Sequence, residues 1–282
     1  MFVFIVFCFD IFHFPLKYMR YSKSEIEQFT DEALKDGFCV LRGHFPAEKM
    51  RHWSEEFAPL LQKHIETEGD VKNRGAARYY VTLPFTKPFA DEEIFVDPDI
   101  LAIVENLVGA DFVMCQMATD TPLKGSKYQE IHRDAPPLFP EWGRETPSFQ
   151  LAVNFPLVDV TAENGPFETT RGTHLLTKEE SLRRLEIGEA KIEQIFMNVG
   201  DVMIRDVRVL HRGTPNKTDV PRPMCVVGYS RKWLLRPEVS INIPREVWGT
   251  LSPAAQKMLR YNQIIESLEE APKTEIYQSF AY

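Results

Sequence analysis

The sequence predicts one mainly β domain with flanking helices. Three observations lead there. The first hundred residues carry three segments with apolar residues at helical spacing. The next hundred are dominated by extended apolar runs. The length of 282 residues, 44% hydrophobic and 26% charged, fits one large domain or two small ones of ordinary globular composition. Helices followed by strands in one domain suit helices packed outside a β-sandwich.

Residues 1–18 are rich in Phe, Ile and Val but are interrupted by Asp10, His13 and Pro15, with no basic start and no small-residue cleavage site. They fit neither a signal peptide nor a membrane span and are read as an extension. The domain then runs over 19–282, with a helical part at 19–110, a β core at 111–235 and a C-terminal helix within 250–270. Ser22-x-x-Glu25 is a capping box, followed by Ile26, Phe29, Ala33 and Leu34 at helical spacing and closed by Gly37. Phe38–Leu41 reads as a short buried strand. Ala47 to about Glu66 is a second helix with Met50, Trp53, Phe57, Leu60, Leu61 and Ile65 on one face, a core stripe. His44, His52 and His64 read as surface or capping residues. Ala77–Pro84 is a strand or ordered loop, where Arg78 is either solvated or faces substrate. Asp97–Gly109 is a third helix.

Phe112–Met117 opens the β region. Lys124-Gly125-Ser126 turns the chain into Tyr128–Asp134, and the proline-rich 135–142 loop follows, with Phe139 and Trp142 either walling a pocket or simply packing the loop. Phe149–Val158 is a long apolar strand, and Asn164-Gly165-Pro166 a tight turn. Thr177–Ala190 reads as an inserted surface helix. Lys191–Asn198 and Val202–Leu210 read as a strand pair. Within the latter, Arg205 shares strand parity with His211 and so points inward, to pair with a carboxylate or to bind an anionic substrate group. Arg222–Arg231 is the last strong strand, and Pro253–Leu268 a C-terminal helix.

The chemistry centres on His132-x-Asp134. Side chains alternate along an extended segment, so these two point the same way. His211, in another β-rich run, supplies a third ligand, with His174 as its rival. Two imidazoles and one carboxylate make the facial triad of non-haem Fe(II) oxygenases. Arg222, eleven residues after His211, opens a strand from which it can reach inward and fork onto a carboxylate.

His132-x-Asp134, His211 and Arg222, with Asn164-Gly165-Pro166, Arg171-Gly172-Thr173-His174 and Gly200-Asp201-Val202, resemble the phytanoyl-CoA dioxygenase family of Fe(II)- and 2-oxoglutarate-dependent oxygenases, from about Phe112 to Arg231 and more loosely from Tyr21 onward. The resemblance implies a double-stranded β-helix, a jelly-roll or cupin-like barrel. It implies Fe(II) on His132, Asp134 and His211, 2-oxoglutarate clamped by Arg222, and O2 as oxidant. Gln116 is then placed to bond 2-oxoglutarate or substrate, or is satisfied within the sheet. The reaction implied is hydroxylation of a small molecule with release of succinate and CO2. Asp134 keeps the carboxylate that related halogenases replace, so hydroxylation is the default, although desaturation, epimerisation and ring formation use the same triad. Arg78, Arg205 and Arg208 favour an anionic substrate. The C-terminal helix would pack on the barrel or on a second subunit in a homodimer. Two rival readings are a cupin-like metalloenzyme without 2-oxoglutarate, in which Arg222 is structural, and a non-catalytic metal or ligand sensor.

Net charge is −8 with no basic run, which argues against nucleic acid as partner, and no segment argues for a membrane. The four cysteines have no paired spacing and fit a reducing compartment, the cytoplasm.

Overall fold

A computed structural model describes residues 19–68, 75–234 and 241–271. The 1–18 extension lies outside the described residues. The elements, in chain order, are α1 (Lys23–Asp36), β1 (Phe38–Leu41), α2 (Ala47–Glu68), β2 (Arg78–Thr82), α3 (Glu92–Phe95), α4 (Pro98–Val108), β3 (Phe112–Pro122), β4 (Gln150–Pro156), β5 (Phe167–Thr169), α5 (Lys178–Glu186), β6 (Glu193–Ile195), β7 (Val202–Asp206), β8 (His211–Gly213), β9 (Met224–Arg231), β10 (Asn242–Pro244), α6 (Arg245–Trp248), α7 (Pro253–Leu259) and β11 (Gln263–Ile265).

Local chemistry accounts for the helix ends. Ser22 caps α1 in a complete capping box, and Gly37 closes it at φ 87°, a left-handed conformation that costs glycine little. Asp97 caps α4, and Thr177 caps α5.

The strands form an antiparallel six-stranded sheet, β1-β7-β4-β9-β3-β2, and a smaller antiparallel sheet, β6-β5-β8. This is the mainly β, jelly-roll arrangement expected. Alternation along the large sheet sets its two faces. In β4, Leu151, Val153 and Phe155 join the core with α1, α2, α4 and α7, while Gln150, Ala152 and Asn154 line a cavity on the other side. Both faces are buried, which is why this strand reads as nearly continuous apolar sequence. β3 carries a bulge between Met114 and Gln116. Met114 points to the helices, yet Gln116, two residues on, lines the cavity. The extra residue re-aims the side chain. Gly228 lies opposite, where an added Cβ would stand 2.8 Å from the Gln116 Cβ.

Three expectations need correcting. The C-terminal helix ends at Leu259, because the Asn262 N–H and Nδ2 both bond back to the Leu259 carbonyl. Residues 263–265 then pair in parallel with β10. β6 does not pair with β7: it joins β5 in the small sheet, while β7 lies between β1 and β4. The run 202–210 is not one strand. It breaks after Asp206, whose carboxylate accepts the Arg208 N–H and Nε–H. The short strand expected at Phe38–Leu41 and the strand within 77–84 are present, as β1 and β2 at the two edges of the large sheet.

His44, read as a surface or capping residue, is buried. Its Nε2 lies 3.1 Å from Asp97 Oδ1. Nearby, Asp99 accepts the backbone N–H groups of Arg20 and Tyr21. This cluster ties the start of the domain to α4.

Candidate metal centre and its cavity

The segment 129–134 is extended but is no regular strand, being laid along 207–213 by backbone bonds. The Gln129 N–H donates to the Gly213 carbonyl, His132 and His211 exchange both bonds at 3.0 Å, and the Asp134 N–H donates to the Val207 carbonyl at 2.9 Å. The two imidazoles therefore lie side by side, with ring centroids 4.4 Å apart. His132 Nδ1 lies 2.7 Å from the Glu130 carbonyl and His211 Nδ1 2.9 Å from the Val209 carbonyl. A carbonyl only accepts, so each Nδ1 carries the proton and each Nε2 keeps its lone pair. Both Nε2 atoms face Asp134 Oδ1, at 3.7 and 3.4 Å. The three groups can hold one metal ion, and the donor set suits a borderline divalent cation. Burial alone would raise the Asp134 pKa. Its contacts with His211 and the Arg205 guanidinium outweigh burial and hold the carboxyl well below the usual range.

Arg222 lines the same cavity from just before β9 and is 2% exposed. Its Nε is buried without a hydrogen-bond partner, and among the described residues its guanidinium makes no hydrogen bond or ion pair. Burial pushes its pKa down to about 10, with the Asp120 carboxylate opposing and Arg78 adding to the drop. A desolvated cation that faces the cavity with no carboxylate in bonding contact is a fitting receptor for one.

The other expected site residues divide. Gln116 and Arg205 line the cavity. Gln116 Nε2 donates to the Tyr80 hydroxyl. Arg205 Nη2 donates to Asp134 Oδ2 at 2.6 Å, the ion-pair alternative of the two weighed above. Arg78 does not line the cavity: it is buried behind it, donating to Asp120 Oδ2 at 2.8 Å and to the Thr214 carbonyl at 2.7 Å. Arg208 is also committed elsewhere, to Asp206 and Glu145. Phe139 and Trp142 stack on each other, exposed and outside the cavity lining. His174 is separated from the centre, with Nε2 3.2 Å from the Leu34 carbonyl.

Sequence reasoning missed Gln150, Asn154, Asp120, Gln129 and Phe167 in the lining. A signal existed for two of them. Gln150 and Asn154 are polar, four residues apart and of equal parity in an otherwise apolar strand.

Among the described residues no helix is long and apolar enough to cross a membrane. Comparison with known proteins gives consistent relatives. Dioxygenase aneA of Aspergillus aculeatus is 27% identical over 241 residues, covering 80% of each chain. Multifunctional dioxygenase ausE of Aspergillus calidoustus is 24% identical over 245 residues, with the same coverage. Among solved structures, the non-haem alpha-ketoglutarate-dependent epimerase SnoN of nogalamycin biosynthesis superposes with a TM-score of 0.58 at 20% identity, covering 74% of this chain and 84% of SnoN. The phytanoyl-CoA dioxygenase (PhyH) domain matches residues 33–224, more than half of the chain and all of the candidate centre, and the chain therefore belongs to the phytanoyl-CoA dioxygenase family.

Proposed function

We propose that this protein is an Fe(II)- and 2-oxoglutarate-dependent oxygenase that hydroxylates a small-molecule substrate, releasing succinate and CO2. The observation that carries the reading is one cavity holding both the three-donor cluster His132, Asp134 and His211 and the unpartnered guanidinium of Arg222. The relatives support it. Two are named dioxygenases, and SnoN has been solved with Fe3+ and alpha-ketoglutarate.

In this reading His132, Asp134 and His211 hold the iron. Bound there with 2-oxoglutarate and O2, it supplies the oxidation of an unactivated C–H bond. The chain does the rest. Arg222 takes the far carboxylate of 2-oxoglutarate through a planar fork that lysine does not reproduce. Gln116, steadied by Tyr80, offers a further polar contact. His132 and His211 are buried between the two sheets, which strengthens each charge interaction inside. The apolar Phe167, Met203, Met224 and Val226, interspersed with Gln129, Gln150 and Asn154, suit a small amphipathic substrate of natural-product type, and with Arg78, Arg205 and Arg208 held by carboxylates the expected preference for an anionic substrate loses its basis. Cys39 and Cys225 are buried thiols, in keeping with a cytoplasmic enzyme.

The test is anaerobic. Fe(II) and 2-oxoglutarate are added to the protein, and the visible metal-to-ligand charge-transfer band is recorded beside His211→Ala and Arg222→Ala. A band in the parent that weakens in both variants is the expected result. No band from folded, iron-loaded protein would sink the 2-oxoglutarate reading and favour a cupin-like metalloenzyme.

A further inference from the structure

We infer that Arg205 is a positioning residue that makes Asp134 a one-oxygen metal ligand, by occupying the second carboxylate oxygen from the opposite sheet. The inference rests on the metal-centre reading above and deepens it.

The two oxygens of Asp134 have different partners. Oδ1 faces both histidine Nε2 atoms, whereas Oδ2 accepts Arg205 Nη2 at 2.6 Å. A carboxylate can chelate a cation through both oxygens or bind through one. With Oδ2 engaged in a short charge-assisted bond, only Oδ1 is offered. Arg205 is itself held on several sides. Its Nε donates to Asn154 Oδ1 at 3.1 Å, and Asn154 is anchored by its Nδ2 on the Cys225 carbonyl at 3.3 Å. The guanidinium lies over the Phe167 ring at 5.3 Å, and that ring stacks on His211 at 5.1 Å. The side chain is 9% exposed, so water does little to screen its charge. The main chain of Asp134 is meanwhile tied to Val207, just beyond β7. Arg205 and Val207 thus hold the ligand at both ends before any metal arrives.

Two consequences follow. One-oxygen ligation leaves more of the metal's coordination sphere for cosubstrate and oxygen. A fixed cation beside the ligand also opposes a divalent ion, so the site trades affinity for an open, preorganised geometry.

Co(II), added to the metal-free protein without 2-oxoglutarate, reads both effects through its dissociation constant and its visible d–d bands. Arg205→Met should bind Co(II) about tenfold more tightly or better, since a like charge is removed, and its bands should change as Oδ2 becomes available. Arg205→Gln removes the charge but keeps a donor for Oδ2, so it should bind more tightly with the parent's bands. A merely structural arginine would leave the bands unchanged and affinity equal or weaker in Arg205→Met, and that result overturns the inference. Should Arg205→Met not fold, Arg205→Gln decides, because binding no tighter than the parent overturns the inference equally. A parent that takes no more Co(II) than His211→Ala removes the metal-centre reading as well, a different outcome from a parent that binds Co(II) and is indifferent to position 205.

Discussion

Removing the Arg222 guanidinium should stabilise the ligand-free protein while abolishing its response to 2-oxoglutarate. Arg222 is a fully desolvated cation whose Nε has no partner, and its pKa is pushed down to about 10. A drop of that size makes the charged form cost on the order of 3 kcal/mol in the folded state. The folded pKa lies below the unfolded one, so this destabilisation is fully present at neutral pH and eases only as the pH rises through about 10. Asp120, the nearby carboxylate, would keep its ion pair with Arg78 at 2.8 Å after the change and so would not be stranded. Arg222→Met keeps part of the volume, and its ligand-free form should gain about 1–3 kcal/mol, roughly 2–10 °C in Tm. Losing one partner of a buried charge pair should also weaken 2-oxoglutarate binding roughly thirtyfold or more. Thermal denaturation of parent and variant, each with and without 2-oxoglutarate and a divalent metal, separates the two effects. A variant that melts at or below the parent without ligand, or that is still stabilised by 2-oxoglutarate to the same extent, would refute the reasoning.

Three further outcomes are expected. The Glu145 carboxylate is buried between Arg133 Nη1 at 2.7 Å and Arg208 Nη1 at 3.2 Å, so Glu145→Gln should cost about 3–5 kcal/mol in urea denaturation, leaving buried positive charge unbalanced. The Asp206 carboxyl would be raised by burial, but its bonds from Arg208 prevail and its pKa is lowered. Its contribution is therefore complete above the ordinary carboxylate range near ~4 and is lost as pH falls through the folded value; Asp206→Asn should flatten the acid limb of a stability–pH profile. Gly228→Ala would put a Cβ 2.8 Å from that of Gln116. It should lower stability by about 1–3 kcal/mol, with Gln116→Gly but not Gln116→Ala restoring the melting temperature.

The sequence by itself determined what is written in short-range chemistry. The capping box at Ser22, the glycine after α1 and the apolar stripe of α2 are local, since a helix end is satisfied by residues three or four positions away. His132, Asp134, His211 and Arg222 were legible as a constellation because their order and spacing are linear properties of the chain. Tertiary structure decided whatever depends on residues far apart. The bulge that turns Gln116 into the cavity exists only against β9, because a register shift needs a partner strand. Asp206 broke the expected strand through its bonds to Arg208, so the parity that seemed to join Arg205 to His211 did not run unbroken between them. Arg205 nevertheless faces inward, placed by its own strand between β1 and β4. Residues 263–265 left the helical pattern to pair with β10, since periodicity carries no record of an available edge. The arginines show the limit most plainly. Arg78, Arg205, Arg208 and Arg222 look alike as letters. Three are neutralised by carboxylates 2.6–2.8 Å away, and the fourth faces the cavity with no carboxylate in bonding contact, a difference that only the folded chain's distances could create.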